Sequence, residues 1–225
     1  MRRGLDELVD VSEPGIDLVR EWVGAARNPV ELLACERSAG EATLLALQVT
    51  TRSPMGAIAF ETGGVLVDHG WLRVLGAGCA RLPRSIATWN RLDRGADAHR
   101  MPRALLVGDD LVGGFFVLNG GALPGRPGGV FYLAPDSLDW EDLELGYSDW
   151  LRWTLIGDLA KFYENARWIG WESDSSALGG DRAVSVYPFL CAEGPSVADR
   201  ARRPVPVEEL WGLHAIELPR QLRRG

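Results

Sequence analysis

The chain has 225 residues, 46% of them hydrophobic and 24% charged, with a formal net charge of −7. A chain of that length buries about 70% of its unfolded surface without staples. No apolar run approaches the roughly 20 residues of a membrane span, and the negative balance disfavours the basic stripe that nucleic-acid binding needs.

The first residues, MRRGLDELVDVSEPG, carry two arginines, but Asp6, Glu7 and Asp10 interrupt any apolar stretch, which argues against a secretory signal. Residues 13–26 predict a helix, with Pro14 in its first turn and Ile16, Val19, Trp22 and Val23 on one face. Residues 30–35 predict a short strand. Ser38-x-x-Glu41 has the form of a capping box before TLLALQVTT, which reads as helix or strand. GAIAFET, a Gly63-Gly64 turn and VLVD predict a hairpin, His69-Gly70 a second turn, and WLRVLGAG a third strand. Residues 85–91 predict a helical turn, and RGADAHRMPR a polar loop.

Residues 104–164 hold ten acids and three bases, a balance of −7 equal to that of the whole chain. LLV and FFVLN predict strands around the turn GDDLVGG. The glycine-rich residues 120–129 predict a hairpin loop, and VFYLA a strand. Asp136-Ser137 begins an acidic turn. Ser148 is the expected N-cap of a helix whose stripe is Leu151, Leu155, Leu159, Phe162 and Ala166, weakened in its middle by Gly157. RWIGWE predicts a strand, residues 173–182 a loop or short helix, and VSVYPFLC a last strand with Pro188 at an edge or turn. The tail from Ser196, with Arg200, Arg202, Arg203, Arg220, Arg223 and Arg224 against four acids, is expected to wrap the surface. The sum is one α+β domain over residues 1–225, a mostly antiparallel mixed sheet with flanking helices.

Little of this carries chemistry. One lysine, Lys161, stands against 23 arginines, and no glycine loop precedes it, so a P-loop is excluded. Schiff-base and protein-kinase chemistry are disfavoured with it. Cys35, Cys79 and Cys191 are too far apart for a metal spacing and read as small buried hydrophobes in a reducing cytoplasm. Three separated histidines suggest no metal, and no cofactor is expected. Asp68-His69 lacks a nucleophile elbow, and Gly76-Ala77-Gly78 meets Arg81 where a dinucleotide fingerprint needs glycine. The paired Asp109 and Asp110 point to opposite faces if they lie on a strand, so at most one enters a site. Asp136, Asp139, Glu141, Asp142 and Glu144 form a second acidic group. The nine tryptophans read as core and rim packing with hydrogen-bonded indoles.

Long strings in order carry a resemblance: TTRSPMGAIAFETGGVLVDHGWLRVLGAG, RLPRSIATWN, LLVGDDLVGGFFVLNGGALPG, VFYLAPDSLDWEDLELGYSDWLRW, KFYENARWIGW and YPFLC. Together, over roughly residues 45–210, they resemble an uncharacterised bacterial family, domain of unknown function 2625. More loosely, Gly108-Asp109, Gly113-Gly114, Phe115 to Asn119, Gly129-Val130-Phe131-Tyr132 and Ser148 to Trp153 are similar in order to the SUKH superfamily. That resemblance implies an α+β core and a class rich in immunity proteins that neutralise toxins. The front half is longer and more β-rich than a typical member. The resulting expectation is a non-enzymatic binding module that docks a basic protein such as a toxin. Asp109, Asp110, Asp136, Asp139 and Glu141 would supply charge, Trp140 an anchor, and Gly113, Gly114 and Gly129 the turns. The rival expectation is a small-molecule binder or hydrolase using carboxylates of the two acidic turns, and a third is a homo-oligomer built on the tryptophan-rich helix.

Overall fold

A computed structural model describes residues 2–222. Seven strands form one antiparallel sheet whose spatial order is the chain order. They are β1 (Val30–Leu33), β2 (Gly64–Val67), β3 (Leu72–Leu75), β4 (Ala104–Asp110), β5 (Phe115–Asn119), β6 (Gly129–Leu133) and β7 (Trp140–Gly146). A separate hairpin joins β8 (Arg182–Tyr187) to β9 (Ala201–Pro206). The α-helices are α1 (Leu5–Leu8), α2 (Gly15–Gly24), α3 (Arg37–Leu47), α4 (Pro54–Glu61), α5 (Ile86–Trp89), α6 (Tyr147–Ile156), α7 (Leu159–Phe162), α8 (Trp171–Ala177), α9 (Val207–Gly212) and α10 (Leu218–Leu222). This is the α+β, antiparallel architecture expected from the sequence. No helix among the described residues is long and apolar enough to cross a membrane.

The register sets which side chains share a face. One row crosses all seven strands: Glu31, Leu66, Arg73, Asp109, Phe115, Leu133 and Trp140. The next row is Leu32, Val65, Val74, Gly108, Phe116, Tyr132 and Glu141, on the opposite face because side chains alternate. Trp150 of α6 packs on Phe116 of the second face, ring centroids 5.3 Å apart. Trp211 of α9 packs edge-on against Phe115 of the first at 5.0 Å. Both faces are therefore covered, and β6 is buried along its whole length, so the middle strands read as apolar runs rather than alternations.

Several local expectations change. GAIAFET is not a strand but most of α4, with Ser53 as N-cap accepting from the Gly56 N–H and Pro54 in the first turn. Apart from half-buried Met55, its hydrophobic residues are buried because the helix is enclosed on nearly all sides. TLLAL is helical, with Gln48 as the left-handed C-cap, and Ser38 lies inside α3 rather than capping it. The stretch expected as an acidic turn contains strand β7. Gly146, not Ser148, is the N-cap of α6, and the chain breaks at Gly157 before restarting as α7 on an Asp158 cap. RWIGWE enters α8 instead of forming a strand. The tail contributes β9, α9, a π-helical turn at Leu213–Glu217 and α10; Arg223 and Arg224 lie outside the described residues. The three cysteines are half-buried, not fully so. Among the buried indoles, Trp168 donates to Asp174 at 2.7 Å, while those of Trp71, Trp89 and Trp150 have no partner.

Candidate functional site

Asp109 and Asp110 end β4 and are fully buried. Consecutive strand positions send them to opposite faces, as anticipated. On one side Asp109 Oδ2 accepts from Arg84 Nη1 at 2.6 Å, and Oδ1 lies 2.9 Å from Arg73 Nε. That last contact is an ion pair without hydrogen-bond alignment. Arg73 and Arg84 are themselves buried, Arg73 to 2% exposure. Arg84 also donates to the Gly180 carbonyl and lies over the Trp89 ring. On the other side Asp110 caps the β4–β5 turn. Its Oδ1 accepts from the N–H groups of Val112 and Gly114, and its Oδ2 from the Tyr132 hydroxyl at 2.6 Å. Burial pushes the Asp110 pKa up against these bonds, and burial and Asp110 push that of Tyr132 well up.

Neither residue can meet a partner. Both were expected on an exposed turn, but β4 runs on through them, and the turn that follows is only Leu111 to Gly114. Arg73 and Arg84 were missed as the counter-ions of Asp109, although an arginine inside the apolar run WLRVL was a visible sign. The glycines of the turn fare differently. Gly113 has φ +84°, which favours glycine. A Cβ on Gly114 would stand 2.2 Å from Asp110 Oδ2. At the next hairpin the left-handed residue is Gly128, not Gly129, whose φ is ordinary.

The second acidic group is solvent-facing. Asp136, Asp139, Glu141, Asp142 and Glu144 are all exposed, the last three on β7, which is an edge of the sheet. Asp136 caps its own turn and Ser137 donates weakly to Glu141 at 3.5 Å. Partial burial raises the Glu141 pKa, and the nearby Asp136 and Asp139 carboxylates raise it further. None of the ion pairs among the described residues includes any of these five acids. Trp140 is half-buried and lies against the core, so only part of its ring faces solvent. Asp109 and Asp136 or Glu141 do not converge on a cleft: the first is sealed under one face and the others lie outside.

The triad-like pair is structural too. Asp68 takes an ion pair from Arg167, which lies 3.9 Å from the Trp171 ring centre and over Trp71 and Tyr163, and His69 occupies the β2–β3 turn with φ +59°.

Comparison with known proteins agrees with the longer of the two resemblances and extends it towards the N-terminus. A family model described as protein of unknown function DUF2625 matches residues 5–210. The uncharacterized protein YbfG of Escherichia coli (strain K12) is 42% identical over 211 residues, 94% of this chain and 95% of the relative. An uncharacterized protein of Haemophilus influenzae (strain ATCC 51907 / DSM 11121 / KW20 / Rd) is 35% identical over 214 residues, 95% of this chain and 94% of the relative. No solved structure matches.

Proposed function

Since the chain belongs to the DUF2625 family, described only as proteins of unknown function, we propose from its geometry that it is a cytoplasmic, non-enzymatic protein-binding module. Its docking surface is the acidic edge formed by Asp136, Asp139, Glu141, Asp142 and Glu144, with Trp140 beside them. The partner is a basic protein. The observation that carries this reading is the contrast in pairing. Buried Asp109 is matched by Arg73 and Arg84, while five exposed acids within nine positions have no counter-ion among the described residues, and the Asp136 and Asp139 carboxylates help to raise the Glu141 pKa. Such a patch attracts a basic surface at long range and loses that attraction in salt. A toxin-neutralising, immunity-like role and a SUKH-like core belong to the same proposal. Their support is the motif order, in which Gly108-Asp109, Gly113-Gly114 and Gly129 to Tyr132 fall on consecutive strands β4, β5 and β6 and the turns between them.

The test is capture from native lysate followed by cross-linking, with wild type and the triple variant Asp136→Asn, Asp139→Asn, Glu141→Gln, at low and high salt. The reading expects a basic partner cross-linked near residues 136–144, lost in the variant and at high salt. Capture indifferent to both changes overturns it.

A further inference from the structure

The acidic strand β7 is one edge of the sheet, and β1 is the other. We propose that β1 pairs with β1 of a second copy, antiparallel, to make a twofold dimer with one continuous sheet. Three observations lead there.

The first is a free row of backbone groups. The Asp68 N–H bonds to the Pro29 carbonyl, and pairing alternates from there along β1. Glu31 and Leu33 therefore face β2, while Val30 and Leu32 turn their N–H and C=O groups away from it. Among the described residues no backbone bond from a loop or helix takes up those groups. Pro29, Glu31 and Ala34 are exposed, so the row is open to solvent. Such a row is a template for another strand.

The second is that no other edge matches it. On β7 Glu144 lies at φ +58°, and the register against β6 slips between Gly129 and Phe131. The edge of the small hairpin, β9, carries Pro204 and Pro206, which have no N–H to give. Head-to-tail pairing of β1 on β7 would run on as an open fibre, and β7 blocks it. Pairing of β1 on β1 closes at two copies.

The third is charge and register. The five acids at the β7 edge stand across the whole sheet from β1, about 29 Å away at the usual strand spacing. That is several times the screening length of about 8 Å at physiological salt. Near the contact, Glu31 is held by Arg81. With Leu32 on the twofold axis, Leu32 faces its own copy and Glu31 faces Leu33, so no like charges meet. Centring the pair on Glu31 would set two carboxylates opposite each other, which is destabilising. Val30 and Leu32 are half-buried against the core, and pairing covers more of their apolar surface. The dimer also carries its two acidic edges at opposite ends of one sheet, about 60 Å apart. If the acidic edge docks a basic partner, as proposed above, a partner with repeated sites is held by both.

Sedimentation equilibrium of the full chain from micromolar to millimolar concentration tests this, with amide hydrogen exchange read at Val30 and Leu32. The mass should rise towards twice that of the monomer, at low and high salt alike. Those two amides should slow about tenfold once roughly nine-tenths of the chain is paired. Leu32→Pro removes an outward N–H, and Leu32→Lys sets two like charges on the axis. Each should leave the chain monomeric, with unchanged tryptophan fluorescence as the check on folding. A chain that stays monomeric throughout, or a dimer that a folded Leu32→Lys variant keeps, overturns the proposal. So does protection of the two amides only by a different protein.

Discussion

Replacing Asp109 by asparagine keeps the shape and removes the charge that two buried arginines share. Arg73 is 2% exposed and Arg84 9%, so solvent cannot take over the role of the carboxylate. Removing one partner of a buried pair costs about 3–5 kcal/mol, because the remaining charge is left unmatched. Here two charges remain. The substitution weakens the 2.6 Å and 3.2 Å bonds from Arg84 and the 2.9 Å approach of Arg73 Nε. Urea unfolding followed by tryptophan fluorescence reads the change directly. With a slope of about 3 kcal/mol/M the midpoint should fall by about 1–1.7 M. Asp139→Asn, exposed and unpaired, should leave the midpoint where it is. A loss below about 1 kcal/mol for Asp109→Asn would refute the claim that this carboxylate neutralises the buried arginines. If partner capture fell while stability held, Asp109 would belong to a docking surface after all.

Three further outcomes follow from the same geometry. Burial raises the Asp110 pKa above 3.8, so the fold favours its protonated form. That contribution is complete below pH 3.8 and is lost as pH rises through the raised folded value. Asp110→Asn should therefore gain on wild type between pH 4 and 7 in thermal melts, and a variant that falls behind over that range contradicts this. Burial lowers the pKa of His214 below 6.5 despite the 2.8 Å bond from its Nδ1 to the Gly113 carbonyl. The neutral ring's contribution is present above pH 6.5 and fades as pH falls towards the lowered folded value. His214→Gln should flatten that part of the melting curve against pH. Gly40→Ala in α3 puts a Cβ 2.0 Å from the Phe60 carbonyl oxygen of α4. An overpacking cost of about 1–3 kcal/mol or more should outweigh the helix gain of about 1 kcal/mol, and a more stable variant in urea would reject the close approach.

The strands were legible where the chain pairs with its immediate neighbour, because a meander needs only alternating runs and turns. Gly113-Gly114 and the residue 120–129 loop marked two hairpins correctly for that reason. Helix α4 was not legible. Its residues up to Phe60 are apolar on every side, so GAIAFET carries no 3.6-residue stripe and imitates a strand. Strand β7 was hidden by the opposite fault: an edge strand with exposed acids has the composition of a loop. For the site, the opposite directions of Asp109 and Asp110 followed from the strand period. Their depth did not, since it depends on Arg73 and Arg84, which lie 36 and 25 positions away from Asp109 and reach it only through the sheet register and the loop at Gly180.

The two edges of the sheet are built differently, and the difference bears on how a partner could dock. An open edge strand is a template for another strand unless something prevents it. On β7 the exposed acids Glu141, Asp142 and Glu144, with Glu144 itself at φ +58°, disrupt the regular row of donors and acceptors that an added strand requires. Recognition there must pass through side chains and charge. On β1 the inner residues bond to β2, as the Asp68 N–H to Pro29 carbonyl contact shows, so Val30 and Leu32 turn their backbone groups outward. The only acid there, Glu31, is cancelled by Arg81. Strand addition therefore has one permitted edge, and it is not the acidic one. The two modes separate cleanly: docking on β7 falls with salt and with neutralised acids, whereas pairing on β1 would resist both and fail in Leu32→Pro, which removes an outward N–H.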